Sequence, residues 1–294
     1  MEHTFLSPAK VNLFLKVVSR RPDGYHNLVS LVDPISLYDV LHVEEDLAGR
    51  VITEDDCKLL PQGPANTIYR AIMALKERYG VKRGVRVMVE KRIPIGAGLG
   101  GPSSNAAVVI REMSRLWGLQ TSIEDLVALG KLVGADVPLF LYGKTCIMRG
   151  IGDRITPAQV PFLWYVIVYP RFVLHTKEVY EGLKIVLTRS ENDINLSDTF
   201  SSVSDIADLL ENDLEQVAFR QCPGIKSIKE RLLQAGALGS LMSGSGSSVF
   251  GVFENEGGAR EALQKVRDLG SVFIAHSLEE EGKDGDYRSQ DLPR

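Results

Sequence analysis

Pro94-Ile-Gly-Ala-Gly-Leu-Gly-Gly-Pro-Ser-Ser104 is the stretch on which the reading of this chain turns. Its four glycines, Gly96, Gly98, Gly100 and Gly101, permit backbone conformations closed to other residues and expose successive N–H groups. Before it, Val85-Arg-Val-Met-Val-Glu-Lys91 alternates apolar and polar residues as a strand does. After it, Ala106, Ile110, Met113 and Trp117 recur at helical spacing until Gly118. The helix contributes unpaired amino-terminal donors and the positive end of its dipole, so strand, loop and helix together make a seat for an anion. Ser103 and Ser104 either add hydroxyl donors to phosphate oxygens or cap the helix.

Gly96-x-Gly98-x-x-Gly101 also satisfies the dinucleotide fingerprint, the main rival from another enzyme class. Its context argues against that reading. Pro94 separates strand from loop, and another capped helix follows Trp117 where a second strand ending in an acidic residue would be needed. No Gly-Lys-Ser/Thr closes the loop, so the Walker pattern fails as well. A tight turn that holds no ligand is the bland alternative.

Working outward, Lys10 to Val17 alternate strictly, with Val11, Leu13, Leu15 and Val17 on one face and Lys10, Asn12, Phe14 and Lys16 on the other. Lys10 and Asn12 thus stand side by side, free to point at one ligand. Asn66 is placed to cap a helix through Ile68, Ile72 and Leu75 that Gly80 ends, and Ser122 with Asp125 forms a capping box before a helix that Gly134 stops. In Gly134-Ala-Asp-Val-Pro138 the proline disfavours helix at Val137, which puts Asp136 in a tight, extended corner. Gly150 to Pro161 has little periodicity and three Gly/Pro breakers beyond its first residue, the mark of an interdomain connection. Beyond it, strands at Trp164 to Tyr169, Leu238 to Met242, Ser248 to Phe253 and Val272 to Ala275, helices between Thr176 and Ala235 and a helix at Ala259 to Leu269 approximate a split βαβ, ferredoxin-like plan with added helices. The charged tail Glu279 to Arg294 is expected to fray.

A formal net charge of −4 over 294 residues gives no sign of a nucleic-acid-binding surface. Cys57, Cys146 and Cys222 lie in no metal-ligand or redox spacing and read as free, mostly buried thiols of a reducing compartment. The first ten residues lack a secretory leader and no run of about 18 apolar residues follows, so a cytoplasmic protein with no membrane partner is expected.

The loop, with Pro94 before it and Ser103-Ser104 after it, resembles the phosphate-binding motif of the GHMP small-molecule kinases. Lys10-Val-Asn12 resembles that family's first motif, Leu241-Met-Ser-Gly-Ser-Gly-Ser-Ser248 its third, and Gly134-Ala-Asp136-Val-Pro138 the segment carrying its aspartate. Ser7 to Leu13, Arg21-Pro-Asp-Gly-Tyr-His26, Ser103-Ser-Asn-Ala-Ala107, Asn212-Asp-Leu-Glu215 and Met242 to Gly246 resemble the branch whose acceptor is a cytidyl-linked methylerythritol of non-mevalonate isoprenoid synthesis. Ala97 and Pro102 stand where glycine is common in relatives, and Pro102 removes one backbone donor.

The resemblance implies an α+β, two-domain fold, with residues 1–157 as a ribosomal-protein-S5-like α/β domain for nucleotide binding and catalysis, and residues 158–294 as a ferredoxin-like domain. It implies ATP as phosphoryl donor, Mg2+ with no protein ligand assigned, and a small-molecule acceptor bound by a monomer or weak homodimer. Lys10 and Asp136 are the implied catalytic pair, Asp136 taking the acceptor proton and Lys10 stabilising charge. Pro94, Ile95, Gly96, Ala97, Gly98, Leu99, Gly100, Gly101, Ser103 and Ser104 face ATP, with Asn66 at the adenine border as well as capping its helix. Asn12 either bonds the acceptor or holds Asp136. Tyr25 and His26 project from a turn onto a base, with Tyr180 as a second wall or a core residue, while Gly244, Ser245 and Gly246 approach the acceptor or simply turn a hairpin. Homoserine- and mevalonate-type kinases of the same family lack a base to recognise, so Tyr25-His26 discriminates against them. A phosphate-binding protein without catalysis would have no need of Lys10 and Asp136.

Overall fold

The computed structural model describes residues 2–183 and 193–278, so the charged tail and part of the expected helical stretch after Thr176 lie outside the described residues. A first sheet is built on two long strands, β1 (Glu2–Arg20) and β2 (His26–Asp46), paired antiparallel. β2 uses its other edge twice: Val40 to Asp46 pair with β4 (Gly84–Glu90), and Leu28 to Val32 pair with β5 (Cys146–Gly150). β3 (Val51–Asp55) lies parallel to β4, and β6 (Arg154–Pro157) extends β5.

Helices α1 (Thr67–Tyr79), α2 (Gly101–Leu116), α3 (Ile123–Val133) and α4 (Val137–Tyr142) cover one face of this sheet. Local chemistry sets their ends. The Asn66 side chain accepts from the Ile68 amide and Gly80 closes α1 at φ 65°, while Ser122 and Asp125 form the expected capping box of α3. Two expectations are corrected. α2 starts at Gly101, capped by Gly100 in the left-handed region at φ 76°, so Ser103 and Ser104 lie inside its first turn and cap nothing. Val137 opens α4 instead of an extended corner, because Pro138 in a first helical turn forfeits no hydrogen bond there.

A second sheet contains β7 (Trp164–Tyr169), β9 (Gly239–Met242), β10 (Val249–Phe253) and β11 (Ser271–His276) in the order β11-β7-β10-β9, every neighbouring pair antiparallel. Numbered within that sheet the order is 4-1-3-2, the ferredoxin-like arrangement. α9 (Glu256–Val266) fills one crossover. The other carries α5 (Thr176–Glu181), α6 (Val203–Leu209), α7 (Glu215–Gln221) and α8 (Gly224–Gln234), together with β8 (Glu211–Asn212), which returns to pair parallel with β1.

The two sheets share one core. Val11, Leu13, Val29 and Leu31 of the first pack with Tyr165, Ile167, Leu241 and Phe250 of the second, while Val166, Val168, Met242 and Val249 face α7, α8 and α9. Strict alternation along β1 does not survive, because a register shift between Asn12 and Phe14 turns Phe14 into the same cluster as Val11 and Leu13, and Leu15 and Val17 into the other. Among the cysteines only Cys146 is buried, so the expectation of mostly buried thiols fails for Cys57, which is exposed, and Cys222, which is half-buried.

Candidate active site

The glycine-rich segment leaves β4 and enters α2 as a loop whose carbonyls point into the protein. Ile95 O accepts from Tyr169 Oη (3.2 Å), Ala97 O from the Ser248 amide (3.1 Å), Gly98 O from Lys10 Nζ (2.8 Å) and Ser243 Oγ (3.0 Å), and Leu99 O from the Lys10 amide (3.0 Å). Ala97 and Leu99 anchor it through buried side chains. Gly96, Gly98 and Gly100 take φ of 66°, 76° and 76°, alternating with residues of ordinary φ, which is the geometry that lets amides converge in a nest. Among the described residues the amides of Gly96, Gly98, Leu99 and Gly100 have no acceptor in the protein. Oriented donors without partners, next to a helix amino terminus, constitute an anion seat.

Lys10 lies against this loop, buried, and gives two of its three ammonium donors to Gly98 O and to Asn12 Oδ1 (2.5 Å). Asn12 Nδ2 donates to Ser30 Oγ (2.8 Å), so Asn12 orients the lysine, and among the described residues it makes no hydrogen bond to Asp136. Burial pushes the Lys10 pKa below its ordinary 10.5, and the Asp136 charge pulls it the other way, which places the carboxylate within electrostatic reach. Asp136 is half-buried at the start of α4, yet its side chain makes no capping bond. Among the described residues no side chain hydrogen-bonds to it.

Lys10, Asn12, Asp136, Gly96 to Gly101 and Ser103 all border one cavity of about 930 Å³, which continues to Tyr25, His26, Tyr180 and Gly244 to Gly246. The models for the GHMP kinases N terminal domain and the GHMP kinases C terminal match residues 66–144 and 197–272. A 4-diphosphocytidyl-2-C-methyl-D-erythritol kinase of Geobacter metallireducens is 43% identical over 275 residues, 92% of this chain and 96% of that one. The chain belongs to the GHMP kinase family. A crystal structure of 4-(cytidine 5'-diphospho)-2C-methyl-D-erythritol kinase superposes with a TM-score of 0.76 at 37% identity, covering 94% of this chain and 98% of the other. Homoserine kinase from Cytophaga hutchinsonii shares the fold at TM-score 0.72 and 20% identity over 94% of both chains. Members of the family are ATP-dependent phosphotransferases, and so is this chain.

The far end of this GHMP kinase's cavity is aromatic. The His26 and Tyr180 rings lie 5.1 Å apart at 31°, and Tyr25 stands at the rim with 59% of its surface exposed. Burial and the Arg20 charge lower the His26 pKa, so at neutral pH its ring is uncharged and offers one donor and one acceptor. Burial, aided by the Asp136 charge, raises the Tyr180 phenol, which links this aromatic wall to the carboxylate. Tyr180 packs against the cluster of Val166, Val168, Met242 and Val249 as well as lining the cavity.

Ser104, Asn66 and Ile95 do not line this cavity: Ser104 is fully buried and its Oγ accepts from Ser7 Oγ (2.8 Å), Asn66 caps α1 and bonds Pro61 O, and the Ile95 carbonyl accepts from Tyr169. Ser103 is the loop hydroxyl that borders the cavity.

The sequence reading assigned no task to Asn212 and Glu215, which turn out to hold the third motif. Asn212 Nδ2 donates to Met242 O and Gly244 O (both 2.8 Å), and Glu215 Oε1 accepts from the Met242 amide (2.9 Å). The turn they hold joins β9 to β10 as the hairpin reading expected, and it borders the cavity. Their only sequence signal was membership of the Asn212-Asp-Leu-Glu215 motif. Asp55, Asp56 and Cys57 cluster outside the cavity, where Leu59, Leu60 and Lys91 amides occupy the carboxylates.

Proposed function

We propose that this GHMP kinase transfers the terminal phosphoryl group of ATP to the 2-hydroxyl of 4-diphosphocytidyl-2-C-methyl-D-erythritol, releasing ADP and the 2-phosphate in the non-mevalonate route to isoprenoid precursors. One observation carries the reading: a single cavity joins unpaired loop amides, a Lys10–Asp136 pair and an aromatic wall of Tyr25, His26 and Tyr180.

The loop amides and the α2 terminus receive the triphosphate. Asp136 accepts the hydroxyl proton as the acceptor oxygen forms its bond to phosphorus and the bond to the ADP oxygen breaks. Lys10, fixed by Asn12 and Gly98 O with one donor left over, stabilises the charge gathering on the transferred group. Tyr25 and Tyr180 flank the cytosine and His26 bonds its edge. Gly244 and Ser245 border the acceptor, and Ser245 Oγ lies 2.9 Å from Thr176 Oγ1 at the start of the helix carrying Tyr180.

Magnesium suits this cavity. Mg2+ keeps several waters and takes phosphate oxygens plus one or two protein oxygens, and the Ser103 hydroxyl is a cavity-facing donor on the loop. Bound there, the ion would neutralise phosphate charge. Residues 1–157 form the catalytic, nucleotide-binding half of this scheme and residues 158–294 the ferredoxin-like half. Free thiols in no metal spacing suit a cytoplasmic protein, active as a monomer or weak homodimer.

ADP release tests the reading. The cytidyl substrate should drive ADP formation about 10⁴-fold faster or more than homoserine or mevalonate, the margin expected of a site that leaves polar groups unpaired with the wrong substrate. Equal rates with either of the smaller alcohols would overturn the assignment.

A further inference from the structure

A single carboxylate ties the phosphate loop at both ends. Asp39 on β2 has no exposed surface. Its Oδ1 accepts from the amides of Arg92 (2.9 Å) and Ile93 (2.8 Å), where the chain enters the loop. Its Oδ2 accepts from Lys91 Nζ (2.5 Å) and from Asn105 Nδ2 (3.0 Å), and Asn105 lies on α2 directly after the loop ends. The Lys91 side chain is only 4% exposed, and a Cβ added to Gly101 would sit 3.3 Å from its Nζ, so this ammonium stands beside the first residue of α2. Asn105 Oδ1 is buried with no partner, which leaves its amide committed to Asp39 alone.

Charge pairing does not explain this arrangement by stability, because removing two charges from water offsets most of their attraction. Four donors converging on one carboxylate do fix geometry. They hold residues 92–93 against residue 105, and so set the span across which the amides of Gly96 to Gly100 must present themselves. Asp39 does not border the cavity.

We propose that Asp39 is a positioning residue that sets the spacing between the two ends of the phosphate loop and thereby the affinity for the nucleotide, without touching it. The inference rests on reading the loop as the ATP seat, and its readout is ATP binding in the absence of acceptor, so it succeeds or fails independently of the acceptor's identity.

Calorimetry with ATP alone, steady-state kinetics with both substrates and thermal melts would be run on wild type, Asp39→Asn, and the exchange variant Asp39→Asn/Asn105→Asp. Asparagine at 39 keeps the oxygen that serves Arg92 and Ile93 but turns an amide toward Lys91 and Asn105. The Kd for ATP should rise about tenfold or more, as expected for a lost charge-assisted bond. KM for the cytidyl substrate should stay within about twofold, since that end of the cavity shares no partner with Asp39. The exchange variant returns a carboxylate to the same cluster and should recover most of the ATP affinity. An Asp39→Asn protein that binds ATP within about twofold of wild type, or that weakens both substrates equally, overturns the proposal. If Asp39→Asn does not fold, the exchange variant decides: near-normal ATP affinity supports the proposal, and lost affinity with an unchanged Tm overturns it. Wild type that binds ATP but ignores the cytidyl substrate would sink the proposed function and leave the Asp39 proposal standing.

Discussion

Alanine at Gly98 measures how closely the two glycine-rich turns must meet. Gly98 has φ 76°, and a Cβ there would lie 2.1 Å from Ser243 O and 3.0 Å from Gly246 N. Two costs follow. The left-handed conformation costs an L-residue about 1 to 2 kcal/mol, which lowers the Tm by about 2 to 4 °C per kcal/mol in a chain of this size. Both contacts are backbone atoms, so no rotamer relieves them, and bringing carbon and oxygen back to van der Waals distance moves the turns apart by roughly 1 Å. The turn at Gly244 flanks Lys10, and a misplacement of that size costs about 100-fold in rate. Gly80→Ala is the control, because Gly80 has φ 65° with nothing within 4 Å of its added carbon and lies at the end of α1, away from the cavity. Melts and ADP-release kinetics on both variants separate strain from displacement: both should lose several degrees, and only Gly98→Ala should lose its turnover. Turnover of Gly98→Ala within about threefold of wild type, or an equal loss in Gly80→Ala, would refute the claim that close approach of these turns positions the catalytic groups.

Asp136→Asn should keep ATP affinity and lower kcat by about 100-fold or more, the usual cost of losing a general base. The same substitution should also move the alkaline limb of the residual pH–rate profile. Burial already lowers the Lys10 pKa below 10.5 and Asp136 opposes that shift, so activity that needs the cation falls as pH rises through the lowered pKa; without Asp136 the fall should begin at lower pH, and an unmoved limb would show that the two groups are not coupled. Alanine at Tyr25 and His26 together should raise KM for the cytidyl substrate by about tenfold or more while sparing ATP, given roughly 1 to 3 kcal/mol for one base stacked on an aromatic, and equal losses for both substrates would remove the base pocket. Because His26 is held neutral, KM for that substrate should be flat above pH 6.5 and rise only as pH drops below it, as a titration of binding would show.

Short-range physics made much of the site legible. Period two along β1 placed Lys10 beside Asn12, glycine content marked the anion loop, and caps at Asn66, Gly80 and Ser122 were read correctly because each is a contact within a few residues. The rest is long-range. Asn12 bonds Lys10 and Ser30, the latter a residue on the neighbouring strand, which no pattern within β1 could show. Ser103 and Ser104 looked equivalent until the left-handed Gly100 started α2 one turn early, which aims one hydroxyl at the cavity and buries the other against Ser7. Asn212 binds carbonyls 30 and 32 residues away, a pairing no local pattern encodes.

The same long-range bonds show how the proposed catalytic lysine is built into the scaffold. Lys10, Gly98 and Ser243 come from β1, the phosphate loop and the end of β9, and they meet through Gly98 O, which accepts from both side chains. The Ser243 hydroxyl lies against the Asn12 amide of β1, and β8 pairs with that strand while Asn212 reaches the Gly244 turn. The two halves are also tied together, since the second supplies β8 to the first sheet and the two sheets pack residues into one buried cluster. A lysine with two donors committed inside such a scaffold pays its desolvation during folding, not during the reaction. In the proposed mechanism its remaining donor is left for the charge that develops, and an electrostatic contact held ready in that way lowers a barrier instead of merely tightening binding.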